Sequence, residues 1–468
     1  MSAQVDYASF RDPSGYVLHR DGRILRAVTA RGAPEYAAAE KSGLIAELVE
    51  RGWLVATKRL DPPTSDPALD GATIVLEHER LPFISYPYEW TFSALRAAAL
   101  LQLDIHLAAL ARGFTLSDST AYNVQFRGAR PIFIDVLSFR RYRDGAYWDG
   151  YRQFCQQFLN PLLLQAYAGI PFNAWYRGAI SGIAAAELRP TLPWRRRISP
   201  RVVKHVTLNA ALSAKAAAAA VEREAPTLLQ TGLPLGALQR MIGSMRAWIA
   251  ELSWRAGGAT TWSDYEATRL YGDEALAAKQ EFVRDFVAAT RPRLLWDLGC
   301  NAGEFAFLAH EAGANYVVGW DSDRGAIEEC FARAARDGRP VTPLIGDLMS
   351  PSPSQGWAEQ ERGGWRARAP VDAALALAIV HHLAIANNVP LGAIVDWLLA
   401  LAPRGVVEFV AKDDRQVGRM LSAREDIFPD YSPAAFRDLL SRKARIVRSS
   451  ELPGGTRHLI WYDFGGAR

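Results

Sequence analysis

From Leu294 onward the chain alternates between short apolar runs and Ala-rich stretches of helical spacing. The runs are Leu294–Asp297, Tyr316–Asp321, Thr342–Asp347, Val371–Leu377 and Gly405–Val410. Strands that alternate with helices in this way build a parallel sheet covered by helices on both faces, a doubly wound α/β fold. Such a sheet takes its ligand outside the carboxyl ends of its strands, where the strand order reverses. The first run continues as Leu294-Leu-Trp-Asp-Leu-Gly-Cys-Asn-Ala-Gly-Glu-Phe305, an apolar strand, an acid at its end and two glycines ahead of a helix. Gly299 and Gly303 permit backbone angles and a close ligand approach that side chains would block, and Cys300 and Asn301 lie in the turn between them. The acid recurs. Asp321 lies 24 residues after Asp297 in Gly319-Trp-Asp-Ser-Asp323, and Asp347 ends the third run in Gly346-Asp347-Leu348. One such acid is as well explained by a helix N-cap. Acids at the ends of three consecutive strands point to a shared ligand: Asp321 accepting from ribose hydroxyls, Asp347 from an adenine amino group, and Leu348 packing on the ring.

These residues resemble the class I S-adenosylmethionine-dependent methyltransferases across roughly 282–464. Asp297-Leu-Gly-Cys-Asn-Ala-Gly303 is similar to their first motif, Gly319-Trp-Asp321 to the ribose-binding strand, and Gly346-Asp347-Leu348 to the adenine-side motif. Asp372 through Leu383, with its terminal His381-His382-Leu383, resembles the fourth strand. Asn301 stands where the family has a glycine, and Asn tolerates left-handed backbone better than most residues. The tighter GxGxxG of nicotinamide-binding chains is absent. The resemblance implies S-adenosylmethionine as cofactor, held by Asp297, Gly299, Cys300, Asn301, Gly303, Asp321, Asp347 and Leu348. It also implies in-line attack on the sulfonium methyl group, which depends on positioning at about 3–3.5 Å. His381 and His382 are the candidate catalytic residues, because a base helps when the acceptor is a hydroxyl or a protonated amine. His381 is preferred as that base; the other reading is that they only shape the strand end. Glu408 and Lys412-Asp413-Asp414 read as a solvated loop and a helix cap rather than an acceptor wall. Trp262, Tyr265, Tyr271 and Lys279 read as packing, with a flap over the cofactor as the alternative. The Asn-Pro-Pro-Tyr signature of many amino-group methyltransferases is missing.

The first half carries a second pattern. Tyr16 to Val28 reads as a hairpin about the Asp21-Gly22 turn, followed by a helix from Glu35 to about Arg51, short strands at Trp53–Val55 and Thr73–Glu77, and a helix from Thr91 to Arg112. Two more strands, Asn123–Phe126 and Pro131–Val136, follow. Asp118 and Asn123 precede the first of these, and Asp135 ends the second. The order of a base, a metal-binding Asn and a metal-binding Asp resembles protein kinases and their antibiotic-phosphorylating relatives. That resemblance implies an α+β domain able to take ATP and magnesium at Asp118, Asn123 and Asp135. The departures are Leu116-Ser117 in place of His-Arg, a glycine-rich loop reduced to Asp12-Pro-Ser-Gly15, and no Lys on the early strands. Arg26 is the nearest cation, and its planar fork does not bind phosphate as a Lys does. Without a ligand, Asp118 and Asn123 would simply cap a turn. The chain as a whole, including Pro82–Trp90 and Arg424–Tyr431, resembles a group of bacterial methyltransferases that includes a nodulation-associated protein.

Length suggests two or three domains for the 468 residues, and the pattern along the chain with the two resemblances implies a kinase-like domain over 1–189, a helical connector over 190–264 and a methyltransferase domain over 265–468. The connector carries the basic run Trp194–His205, read as a solvated link, and an alanine run at 216–220, read as helix. A net charge of +4 is too mild to make nucleic acid an expected partner. Three cysteines, Cys155, Cys300 and Cys330, are too dispersed for a disulfide framework or a zinc site, and no metal is expected with certainty. No leader is expected from Met1–Gly15, and the apolar stretch Leu375–Val380 falls short of the ~20 residues of a membrane span. The expectation is a cytoplasmic methyltransferase acting on a small-molecule, glycan or lipid-linked acceptor, with the first domain binding acceptor or nucleotide. The rivals are a phosphotransferase built on the first domain and a non-catalytic scaffold.

Overall fold

The computed structural model describes residues 4–60, 67–211, 233–254, 272–422 and 424–465. It divides into two compact units, one of Met1–Phe126, Arg130–Arg255 and Gly356–Arg362, the other of Arg127–Ala129, Ala256–Gln355 and Gly363–Arg468. The alanine run at 216–220 and Trp262, Tyr265 and Tyr271 lie outside the described residues.

The first unit opens with an antiparallel sheet of β1 (Gln4–Val5), β2 (Gly15–Arg20), β3 (Arg23–Val28), β4 (Thr57–Leu60) and β5 (Ile74–His78), in the order β1-β2-β3-β5-β4. Asp21 and Gly22 form the β2–β3 turn with φ of 48° and 79°, the left-handed pair that a two-residue hairpin requires. The helix expected across Glu35–Arg51 is two helices, Ala33–Lys41 and Leu44–Glu50, because Gly43 takes φ 78° between them. Trp53–Val55 is not a strand; Leu54 makes a single bridge to Phe133. The helix Phe92–Ala111 starts where Thr91 accepts a hydrogen bond from the Ala94 amide, an N-cap of the ordinary kind. Its length and apolarity, with mean hydropathy 1.4, are enough to cross a membrane, contrary to the sequence expectation. However, 61% of that window is buried within the protein, with Leu95, Leu103 and Ile105 wholly enclosed. It is the core helix of this unit. The short strands β6 (Phe114–Leu116), β7 (Val124–Arg127), β8 (Arg130–Phe133) and β9 (Phe139–Arg141) pair as β6–β9 and β7–β8. The described part of 190–254 packs into the first unit rather than bridging as a bare connector. It buries Val202, His205 and Val206, and then Leu238, Ile242 and Trp248 of the helix Leu235–Glu251.

The second unit is built on seven strands: β10 (Leu294–Leu298), β11 (Tyr316–Asp321), β12 (Val341–Ile345), β13 (Ala373–Ala376), β14 (Arg404–Val410), β15 (Arg445–Glu451) and β16 (Arg457–Asp463). Their order is β12-β11-β10-β13-β14-β16-β15. The first five are parallel, as the alternation predicts, and nearly every residue in β10, β11 and β13 is buried. That is why they read as unbroken apolar runs instead of alternating ones. β16 enters antiparallel between β14 and β15, a hairpin the sequence reading did not include. β10 is central: the chain builds outward to β11 and β12, then crosses back to β13 on its other side. The strand order therefore reverses at β10, and a crevice opens at the carboxyl ends there.

Candidate functional site

A cavity of about 320 Å³ lies at that reversal, lined by the ends of β10, β11, β12 and β13 and by Lys279 and Gln416. The turn after β10 forms its floor. Gly299 and Cys300 amides both donate to the Trp320 carbonyl at 2.8 and 3.0 Å. Gly299 has φ 73°, and a Cβ there would lie 2.7 Å from Ile379. Gly303 has φ 87°, and its Cβ would lie 2.4 Å from the Cys330 sulfur. Asn301 takes φ 50°, as its substitution for glycine allows.

The three strand-end acids differ in what they are free to do. Asp297 is buried, and its Oδ2 has no hydrogen-bond partner among the described residues. Burial pushes its carboxyl up to about 7, against the pull of Lys279. Asp321 accepts from the Asn301 amide on Oδ2 (2.7 Å) and from the Asp323 amide on Oδ1 (2.8 Å). Burial raises its pKa, and these amides oppose the rise. It does not cap the next helix: Asp323 does, accepting from the amides of Gly325 and Ala326. Asp347 is exposed and accepts from the Met349 amide at 2.8 Å, with Leu348 half-buried beside it. Both line the cavity. Behind them Trp296, Trp320 and Trp365 form a cluster of edge-on and tilted rings with centroids 4.3–5.5 Å apart. Gly346 is glycine because its Cβ would lie 2.5 Å from Trp365. Trp365 had no signal in the sequence reading.

The two histidines part company. His382 lines the cavity, whereas His381 is fully enclosed and is not on its wall. Of the two candidates, only the His382 ring reaches the space a substrate can enter; the preferred His381 does not. Burial holds His382 down to about 4, and it holds His381 well below its ordinary value, so neither titrates near neutrality.

Beneath His382 lies a buried ionic network. Glu408 is completely enclosed, with Oε2 2.6 Å from Lys279 Nζ and Oε1 accepting from Arg457 Nη1 at 3.1 Å. Burial pushes its carboxyl up, but Lys279 and Arg457 together more than offset that and hold it low. Arg457 Nε donates to Asp414 Oδ2 at 2.9 Å. Asp414 also caps the helix Arg415–Leu421. The helix cap expected there is present, and the solvated loop holds only in part: Asp413 is exposed and Lys412 is half-buried, paired with Asp426 at 2.7 Å, whereas Glu408 and Asp414 are buried. Lys279 sits 4.7 Å from the Phe305 ring centroid. Arg457 and Gln416 went unread in the sequence, since nothing local connects them to Glu408.

In the first unit the three expected residues do converge. Asn123 Nδ2 donates to Asp135 Oδ2 at 3.4 Å, and Asp118 holds the Thr120 amide at 3.0 Å. Burial, then the charge of Asp135, raises the Asp118 carboxyl. Asp135 is already engaged: Arg26 Nη1 donates to Oδ1 at 2.6 Å and Ser138 to Oδ2 at 2.5 Å. Among the described residues no three His, Cys, Asp or Glu side chains gather as a metal site.

No protein-family model matches the chain. Among solved structures, the PH0226 protein of Pyrococcus horikoshii OT3 aligns at 17% identity over 44% of this chain and 99% of its own, with a TM-score of 0.31. Magnesium protoporphyrin IX methyltransferase from Synechocystis PCC 6803, with bound SAH, aligns at 19% identity over 43% and 97%, with a TM-score of 0.30. A curated sequence matches far more fully: nodulation protein NoeA of Rhizobium meliloti (strain 1021) is 42% identical over 461 residues, 97% of this chain and 95% of that protein. Sharing almost its whole length with that relative at such identity, the chain belongs to the NoeA family.

Proposed function

We propose that the second unit is an S-adenosylmethionine-dependent methyltransferase acting on a small-molecule, glycan or lipid-linked acceptor. The observation that carries this reading is the convergence of Asp297, Asp321 and Asp347 on one cavity where the strand order reverses. The residues present fit the cofactor. The orphaned Oδ2 of Asp297 is a buried acceptor suited to an ammonium group. Asp321 has one backbone donor on each oxygen, which leaves lone pairs for two ribose hydroxyls. Asp347 and Leu348 would meet the adenine, and Gly299, Cys300, Asn301 and Gly303 would form the floor. When bound, S-adenosylmethionine supplies a methyl group on a sulfonium whose sulfur is the leaving group. The chain's part is to position the two reactants and exclude water, with His382 beside the acceptor and apolar Leu377, Ile379 and Leu383 around it.

The first unit we read as a kinase-like domain that binds acceptor or a nucleotide, with magnesium, at Asp118, Asn123 and Asp135. The Arg26–Asp135 ion pair weighs against phosphoryl transfer, because it occupies the carboxylate a metal would need. Cys155, Cys300 and Cys330 are all free and buried, in keeping with a cytoplasmic setting.

Calorimetric titration of the full-length protein with S-adenosylmethionine tests the main reading. Micromolar binding that Asp321→Ala weakens at least tenfold, about 1.4 kcal/mol, is the expected result. Absence of binding by folded wild-type protein would sink it.

A further inference from the structure

Two hydrogen bonds running from β16 to the cavity wall fix where the proton on His382 sits. Arg457 offers only donors. Its Nη2 donates to Gln416 at 3.3 Å, so the Gln416 atom facing it is the carbonyl oxygen Oε1, and the amide nitrogen Nε2 is turned the other way. That nitrogen lies 3.3 Å from Nε2 of His382. A carboxamide nitrogen only donates, so the histidine nitrogen it meets must be the accepting, unprotonated one. The neutral ring then carries its hydrogen on Nδ1. An imidazolium does not fit, since both its nitrogens are donors.

The amide cannot easily turn over, because the guanidinium that orients it is itself pinned. Arg457 donates from Nε to Asp414 and from Nη1 to Glu408, which is also paired with Lys279. The surroundings reinforce the neutral state. The His381 ring packs 4.2 Å from that of His382, and burial disfavours charge on both.

We propose that Gln416 is a positioning residue for His382, locking its ring in the uncharged tautomer with the proton on Nδ1. This rests on the methyltransferase reading, in which His382 flanks the acceptor. It also sharpens that reading. The lone pair of Nε2 is held by Gln416, so the ring presents an N–H donor on Nδ1. For His382 to take a proton from the acceptor, Gln416 must first release Nε2.

The test is nitrogen-15 NMR of full-length protein labelled at histidine, with long-range proton–nitrogen correlations separating protonated from unprotonated ring nitrogens. The His382 signals are identified by their loss in His382→Asn. At pH 7 the expected wild-type pattern is an unprotonated Nε2 and a protonated Nδ1. Gln416→Glu sets an acceptor against Nε2 and is expected to move the proton there. Gln416→Leu is expected to release the lock and give a mixture. Tryptophan-monitored melting checks that each variant folds; if one does not, the other and the wild-type pattern decide. A protonated Nε2 in the wild-type protein overturns the proposal, as does a pattern unchanged in the folded variants. Titration of the same wild-type sample with S-adenosylhomocysteine separates the two claims. Binding together with a protonated Nε2 sinks the tautomer alone, whereas no binding sinks the methyltransferase reading and with it the role of His382.

Discussion

Asp297 is the residue whose chemistry is most exposed to experiment. Its carboxyl ordinarily titrates near 3.8 and is pushed up to about 7 by burial. The folded protein therefore holds a proton there that the unfolded chain has released. Stability from this group is full below pH 4 and declines as pH rises toward 7. An ammonium group arriving beside Oδ2 favours the charged carboxylate, so ligand binding should expel that proton. We expect S-adenosylmethionine binding at pH 7 to release up to about half a proton, read by calorimetry in two buffers of different ionisation enthalpy. Asp297→Asn should abolish the release and weaken binding. An equal release in that variant would assign the proton elsewhere.

At the scale of elements, the hairpin of β15 and β16 matters more than its position at the sheet edge suggests. The register sets Val410 opposite Arg457 and Glu408 opposite Leu459, and that pairing brings a guanidinium to two buried carboxylates. Removing one partner of a buried ionic network leaves uncompensated charge and costs about 3–5 kcal/mol. Arg457→Met should lower stability by that amount in urea unfolding, and a loss below 1 kcal/mol would show that the network is not held as described. This element also marks the limit of what the sequence disclosed. Asp297, Asp321 and Asp347 were legible because each sits at the end of an apolar run, and a parallel sheet brings such ends together. Arg457 and Gln416 were not. They are 41 residues apart and meet only through strand register. β15, Arg445-Ile-Val-Arg-Ser-Ser-Glu451, is mostly exposed and carries little apolar pattern to announce it. The split at Gly43 and the two fates of His381 and His382 were likewise decided by local backbone and burial, which spacing does not encode.

Over the whole molecule, buried histidines set the acid limit. Five of the eight are held below their ordinary value by burial: His78 and His106 to about 3, His205 and His382 to about 4, and His381 well below its ordinary value. A depressed histidine contributes stability that is present above pH 6.5 and lost as pH falls toward its folded value. Three of these lie in the first unit and two in the second. Both units should therefore weaken between pH 6.5 and 4, seen as falling urea midpoints at successive pH values. Asp297 works the opposite way in the same range, so Asp297→Asn should steepen the decline. Midpoints that hold steady down to pH 4 would contradict the burial of these rings.

Arg457 also has a place in time. It leaves the ribosome 49 residues after Glu408, a lag of roughly 2–10 s at typical synthesis rates. Through that interval the glycine turn, the three acids and His382 already exist as nascent chain, yet Gln416 has nothing to orient it and Glu408 lacks one of its two cations. A chain cut between Glu408 and Arg457 would therefore keep the glycine turn, the three acids and His382 yet lose the guanidinium that orients Gln416 on the pocket wall.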